Sequence, residues 1–488
     1  MRLKEACPEG PFRGRAADLE AWLASGRASR PDWYHPVRVC GLFGAMRTFA
    51  SIRGAVPLVH GPSGCAYFQK FQVVISFGHP VPAPCTGMSE SDVIHGGEDR
   101  LRRAVLEVDR RYKPRLIAVL NTCTPMIIGD DVAAVLHDVR GEVGARYLIA
   151  VDADGLQHYS QAHGYNAALA GLVENVMQPA DIRLERSVNL FGEVVGGDAA
   201  LARDKFLLRD MLARIGVYVN AMVPAGSAVE DIERAPRARL NVPRCGPMAG
   251  PAARLMRERF DVPFVSPAMP YGLANSERWL MAVAEFFGLE EGARRVIAAE
   301  RRRLRPLLAE ARRGLSGKRA AVHGGPGRAA ANIRFAHELG CRIEVVSLFF
   351  ATEAAYRQVL DAVAETGQDP LILIDRSMEE VRRTVAEHGI EAWFGNSLDF
   401  PATYMHSGLA AFETLIYQMP YEGFGGCANA LRHVVHRSQH VPLARPAGAP
   451  RRGAAGAPLA RPAGAPRAAD DVPPWAACRG GGERRWHG

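Results

Sequence analysis

Three cysteines carry the first chemical signal in this 488-residue chain. Cys40, Cys65 and Cys123 stand in Gly- or Pro-marked turns, VCGLFGA, HGPSGCAYF and LNTCTPMIIGDD. Cys123 directly follows the apolar run LIAVL, and Cys65 follows AVPLVHG, so both stand where a strand should end. Soft thiolates presented by loops at sheet ends suit iron, and glycines let the backbone close around a cluster, so the pattern points to iron–sulfur chemistry. The same residues also read as three buried free cysteines, because no CxxC spacing joins them.

The elements that must position these loops follow from periodicity. Short apolar runs alternate with amphipathic helical stretches: LIAVL after DRLRRAVLEVDRRY, YLIAV after DDVAAVLHDVRGEV, then VNLFGEVV, PFVSP, RAAVHGG and LILIDR, each leading into a helical segment. Such alternation predicts an α/β chain of parallel sheets covered by helices on both faces, with ligand crevices at the C-terminal ends of the strands. At roughly 100–200 residues per domain the length suits three doubly wound domains around a central crevice. The expected divisions are 30–180 around the three cysteines, 181–310, 311–440, and a tail at 441–488. PLARPAGAP occurs twice in that tail, which is rich in Ala, Pro, Arg and Gly and reads as disordered.

Composition narrows the function. Hydrophobic residues make up 48% and charged residues 23%, the balance of a folded soluble protein. The net charge of +8 is misleading, because eight arginines against three acids lie from Val441 onward. The nearly neutral body has no aromatic-interleaved basic stripe, so no nucleic-acid partner is expected. No export signal and no long apolar run occur, so neither a membrane nor secretion is expected, and nine cysteines then belong to a reducing cytoplasm. GxxxxGK[ST] is absent, so an ATP-driven electron donor would be a separate protein, and the missing GxGxxG argues against a dinucleotide site.

The stretches VPLVHGPSGCAYF, SESDVIHGGEDRLRRAV and LNTCTPMIIGDDVAAVL closely resemble the alpha and E-type subunits of the nitrogenase component 1 family, and the likeness runs from about 35 to 437. That family holds nitrogenase alpha chains, E-type scaffolds for cofactor assembly, and nitrogenase-like reductases such as methylthio-alkane reductase. The resemblance implies that Cys40, Cys65 and Cys123 hold a cluster, [4Fe–4S] or an eight-iron P-cluster type, at the interface with a beta- or N-type subunit. It further implies an α2β2 assembly fed by an ATP-dependent iron protein. RLNVPRCGPMAGPAARLM fits the segment carrying the cofactor's thiolate and places Cys245 as its ligand. Met405-His406-Ser407 before Pro420-Tyr421-Glu422-Gly423-Phe424-Gly425-Gly426 makes His406 the second ligand of a complex iron–sulfur cofactor, FeMo-co-like or its precursor, with about ten residues inserted between the two pieces. The turn Gly324-Gly325-Pro326-Gly327-Arg328 could cradle an anion, with Arg328 facing the cofactor.

Two departures from the family pattern bear on chemistry. In Ser160-Gln161-Ala162-His163-Gly164-Tyr165, Gln161 and Gly164 keep their places, but Tyr165 stands where the family has a proton-donating histidine. Gln161 and Tyr165 are therefore the candidate catalytic pair, with His163 read either as a shifted proton relay or as an exposed loop histidine. Phe71-Gln72-Val73 occupies the position where dinitrogen-reducing chains carry a pocket arginine. Both an oxidoreductase acting on a substrate other than dinitrogen and a cofactor-assembly scaffold are compatible with these changes. Cys85, Cys427, Cys341, Cys7 and Cys478 are assigned non-ligand roles, with Cys427 expected in a Gly-rich loop.

Overall fold

A computed structural model describes residues 12–25, 40–67, 81–156, 160–193, 199–349, 353–395, 410–413 and 421–440. Three sheets form the frame. In the first, β2 (Ala55–His60), β3 (Leu116–Asn121) and β4 (Tyr147–Asp152) lie parallel in that order, and His60, Asn121 and Asp152 end in register. The second is β6 (Tyr218–Pro224), β5 (Leu184–Glu193) and β7 (Ala238–Pro243), also parallel, with β5 central. The third runs β1 (Phe12–Gly14), β10 (Leu371–Ile374), β9 (Arg342–Leu348), β8 (Arg319–Gly324), β11 (Ala392–Gly395) and β12 (Ala410–Glu413). Only β1 in that sheet is antiparallel.

Burial along β3 shows why continuous apolar runs were needed. Leu116, Ala118 and Leu120 enter one core, shared with the Gly41–Ala50 and Gln161–Asn175 helices, whereas Ile117 and Val119 enter another. A central parallel strand buried on both faces cannot alternate apolar with polar residues. The second core is closed by Leu101, Val105 and Val108 of the Glu98–Tyr112 helix, spaced four and three apart on one face. That helix also places Glu98 and Asp99 in its first turn and Arg110 and Arg111 in its last, matching its dipole. The cores do not stop at sheet limits, since Val188 and Leu190 of β5 share a cluster with Val322 of β8.

Two expectations need correction. PFVSP is not a strand: Phe264 makes only an isolated bridge to Asn241. Prolines at 263 and 267 remove the donors a ladder needs. Cys427 is not in a loop but fully buried in the Gly423–His440 helix. The tail at 441–488 lies outside the described residues.

Candidate functional site

Adjacent parallel strands end at the same edge, so the loops after β2 and β3 meet there. Cys123 opens the Cys123–Ile128 helix two residues past β3, and Cys65 sits in a helical turn at 63–67, its N–H donating to the Pro62 carbonyl at 3.1 Å. Cys40 is the N-terminal cap of the Gly41–Ala50 helix. Gly155, just beyond β4, joins them: its N–H donates to Cys123 Sγ at 3.0 Å. A Cβ at Gly155 would stand 3.1 Å from Cys40 Cβ, 4.0 Å from Cys40 Sγ and 3.6 Å from Cys123 Sγ, so Gly155 packs closely against both cysteines. Burial pushes the Cys65 thiol up, and Cys40, Cys123 and Cys85 add to the shift in that order. Burial likewise raises Cys40, with Cys123 contributing. Four sulfurs therefore share one environment.

The fourth, Cys85, was not expected there. A bridge to Val59 of β2 lays it beneath the Cys65 turn; its Sγ lies 3.4 Å from the Gly61 carbonyl oxygen and accepts the Gly87 N–H at 3.3 Å. A metal group binding Cys40 and Cys65 would have to displace their protons, so its binding would release protons and strengthen as pH rises. The described cysteines form no disulfide, and no described group of three or more His, Cys, Asp or Glu surrounds a single metal ion. Cysteine sulfurs presented at strand ends are a donor type that would suit an iron–sulfur cluster.

Large apolar side chains near these cysteines in the chain, or on a helix packed against the Cys123 helix, are exposed. Tyr67, Ile94, Ile127 and Leu156 are 62–76% exposed. Tyr67 is two residues past Cys65, Ile127 four past Cys123, and Leu156 follows Gly155; Ile94 belongs to the Glu90–His95 helix packed against Cys123–Ile128.

Behind Cys40, two helices cross at glycine contacts. A Cβ on Gly44 would meet the Gln161 carbonyl oxygen at 1.9 Å, and one on Gly164 would meet the Gly41 carbonyl oxygen at 1.7 Å. Gly164 thus holds its place because the Gly41–Ala50 helix lies on it. Gln161, half-buried in the first turn of Gln161–Asn175, accepts from Arg47 Nη1 at 3.5 Å. Tyr165 is 1% exposed among core side chains including Phe191 and Ala249, and its hydroxyl lies 4.0 Å from where a Cβ on Gly192, at the end of β5, would stand. His163 is neither in a loop nor exposed: it is half-buried in the same helix, with Nδ1 2.8 Å from Ser160 Oγ.

Cys245 lies at the end of β7 and caps the Gly246–Phe260 helix. The preceding Arg244 is fixed at both ends: its N–H donates to the Phe191 carbonyl at 2.9 Å, and its Nε donates to Glu422 Oε1 at 2.5 Å. At the end of β8, Gly324 and Gly325 face open space and lead into the Pro326–Glu338 helix, on which Arg328 is half-buried. Arg328 Nε is buried with no hydrogen-bond partner among the described residues. An orphaned guanidinium nitrogen beside a helix N-terminus fits an anionic cofactor. His406 lies outside the described residues, as does Val73.

Residues 40–439 match the family model described as nitrogenase component 1 type oxidoreductase. The chain belongs to the nitrogenase component 1 family. It is 29% identical over 421 residues to the nitrogenase molybdenum-iron protein alpha chain of Methanothermobacter thermautotrophicus, covering 81% of this chain and 86% of that one. It is equally 29% identical over 425 residues to the nitrogenase iron-molybdenum cofactor biosynthesis protein NifE of Methanococcus maripaludis, covering 84% of each. The solved structure of nitrogenase Cp1 at pH 5 superposes with a TM-score of 0.71 over 84% of this chain and 90% of that one, at 22% identity. The nitrogenase component 1 fold, with its parallel sheets, is therefore shared, and the likeness falls on alpha and E-type subunits. Among the described residues no helix is long and apolar enough to cross a membrane.

The structure places Cys40, Cys65 and Cys123 near the C-terminal edge of the first sheet and Cys245 past β7, and it adds contacts of Cys85, Gly155 and the Arg244–Glu422 pair that the sequence did not single out. The prolines and the glycine around Cys85 in VPAPCTGM mark a turn like those of the other three cysteines. Nothing local marked the other two.

Proposed function

We propose that the chain is the alpha-type subunit of a nitrogenase-like iron–sulfur oxidoreductase acting on a small substrate other than dinitrogen. The observation that carries this reading is the gathering of Cys40, Cys65 and Cys123, together with the exposed side chains of Tyr67, Ile94, Ile127 and Leu156. In this reading a homologous beta- or N-type subunit covers these side chains and completes the cluster in an α2β2 assembly, and an ATP-dependent iron protein supplies electrons. Cys245 and His406 would hold the complex iron–sulfur cofactor, with Arg328 balancing its charge. The two groups supply electron relay and a reducing centre when bound. The chain's own share is to hold the thiolates at the ends of β2, β3 and β7, to shield the cofactor with the 161–175 helix, and to position Gln161 and Tyr165 on its first turns.

The deciding experiment is anaerobic co-purification with the partner subunit, followed by iron analysis and turnover of a thioether or acetylene with reductase and ATP. Cys65→Ala should lower iron content and prevent stable pairing, because cluster binding and assembly are coupled. Unchanged iron and pairing would sink the assignment.

One observation favours a second reading. Tyr165 is sealed in the core, as suits a scaffold that need not protonate substrate, and NifE is as similar to this chain as the alpha chain is. A scaffold would show no turnover but would activate a cofactor-deficient reductase on mixing.

A further inference from the structure

His60 ends β2 with none of its surface exposed. Its ring is held on both nitrogens: Nε2 lies 3.0 Å from Asp130 Oδ2 and Nδ1 3.2 Å from Thr86 Oγ1. The other carboxylate oxygen of Asp130 accepts the Gly97 N–H at 2.9 Å. The His60 carbonyl in turn accepts from Thr122, through the hydroxyl at 2.8 Å and the N–H at 3.2 Å. Thr86 Oγ1 also accepts the Gly61 N–H at 2.9 Å.

Two of these partners adjoin a cysteine and a third opens a turn to one. Thr122 precedes Cys123, Gly61 begins the turn to Cys65, and Thr86 follows Cys85. Asp130 lies past the far end of the Cys123–Ile128 helix and donates its N–H to the Pro125 carbonyl at 3.1 Å, so the Cys123 loop is fastened to β2 at both ends. Two glycines make room for the knot. A Cβ on Gly61 would stand 2.0 Å from Thr122 Oγ1, and one on Gly97 would stand 2.5 Å from Asp130 Oδ2 and 3.1 Å from His60 Cε1.

We propose that His60 and Asp130 are positioning residues for the interface cluster, a buried imidazole–carboxylate clasp that sets the separation of the Cys65 and Cys123 thiolates. This rests on the cluster reading above. A carboxylate that orients a neighbouring donor set acts on a metal group from outside its ligands, and loss of such a partner costs about 10- to 100-fold in metal affinity. The clasp fixes where two sulfurs stand relative to each other, and a cluster bridging them reads that spacing as bond geometry.

The test uses the anaerobically purified complex with its partner subunit. Asp130→Ala and the milder Asp130→Asn, which keeps the side chain's size but gives up one acceptor, are compared with Leu101→Ala in the core of the same sheet. Expected are a release of iron to a chelator about 10- to 100-fold faster, a displaced cluster midpoint potential and altered EPR signals in the Asp130 variants. Leu101→Ala should lower Tm without moving these cluster properties. A wild-type cluster whose release, potential and spectrum are the same in both Asp130 variants, or are moved as far by Leu101→Ala, overturns this inference alone. A wild-type complex with no cluster overturns it together with the reading on which it rests.

Discussion

Arg244 donates from Nε to Glu422 Oε1 at 2.5 Å with both side chains buried, tying the residue before Cys245 to the segment that opens the Gly423–His440 helix. The Tyr271–Glu422 bridge and the Gly423 N–H bond to the Pro270 carbonyl anchor that segment further. The Cys245 loop after β7 is therefore braced against a piece of chain that packs on the Glu290–Leu315 helix, where Arg303 donates to the Phe424 carbonyl.

Removing one member of a buried ion pair strands the other's charge. Glu422→Ala should destabilise the protein by about 3–5 kcal/mol, whereas the double change Arg244→Met/Glu422→Leu should cost far less. Denaturant titration of Glu422→Ala, Arg244→Met, Glu422→Leu and the double variant checks this. A double-variant loss equal to the sum of the Arg244→Met and Glu422→Leu losses would mean that the pair is not coupled.

Gly164 should tolerate no side chain. Gly164→Ala drives a methyl into the Gly41 carbonyl and should cost about 1–3 kcal/mol by overpacking. Because Cys40 caps the helix that would be pushed away, the variant should also bind less iron with its partner. Normal stability and iron content would show that the helix crossing can relax.

These contacts mark how far the sequence could be read. The strand-end cysteines were legible because LIAVL and AVPLVHG announce strands locally and glycines announce turns. Cys85 was not, since its bridge to Val59 arises only once the 81–88 segment lies along β2. Arg244 and Glu422 lie 178 residues apart, and no periodicity links them. The three residues of β1 carry no strand signal of their own; their pairing with β10, far along the chain, makes them a strand. Local chemistry was visible, and long-range pairing of polar side chains was not.

Stability should fall on the alkaline side through Glu338. Its carboxylate accepts the N–H groups of Leu273 at 3.0 Å and Ala274 at 3.3 Å, yet burial pushes it up to about 7 from 4.5. A raised folded-state value means that the folded protein holds the proton more tightly than the unfolded chain. The contribution is complete below about pH 4.5 and is lost as pH rises through about 7, at most about 3 kcal/mol. Glu338→Gln keeps an acceptor and removes the titration, so its Tm relative to that of the wild type should rise between about pH 4.5 and about pH 7 and level off above that. Parallel Tm curves from about pH 5 to pH 9 would refute the assignment.

Dinitrogen reduction sets the strictest demand on the 161–175 helix, since it needs repeated protonation beside the cofactor. Tyr165, where the family carries a histidine, is packed with Phe191 and Ala249 at 1% exposure. A phenol with an ordinary pKa near about 10 gives up its proton reluctantly at neutral pH, where an imidazole near about 6.5 exchanges freely. By the family resemblance Val73 falls where dinitrogen-reducing chains carry a pocket arginine, and a valine side chain has no hydrogen-bond donor. The complex, loaded with its clusters and given reductase and ATP, should therefore form little or no labelled ammonia from labelled dinitrogen while it reduces other small substrates. Placing imidazole in the core by Tyr165→His should not by itself restore ammonia formation, because the arginine is still missing. Labelled ammonia from the unaltered complex at a rate comparable with its other reductions would show that protons reach the cofactor by a route that needs neither residue.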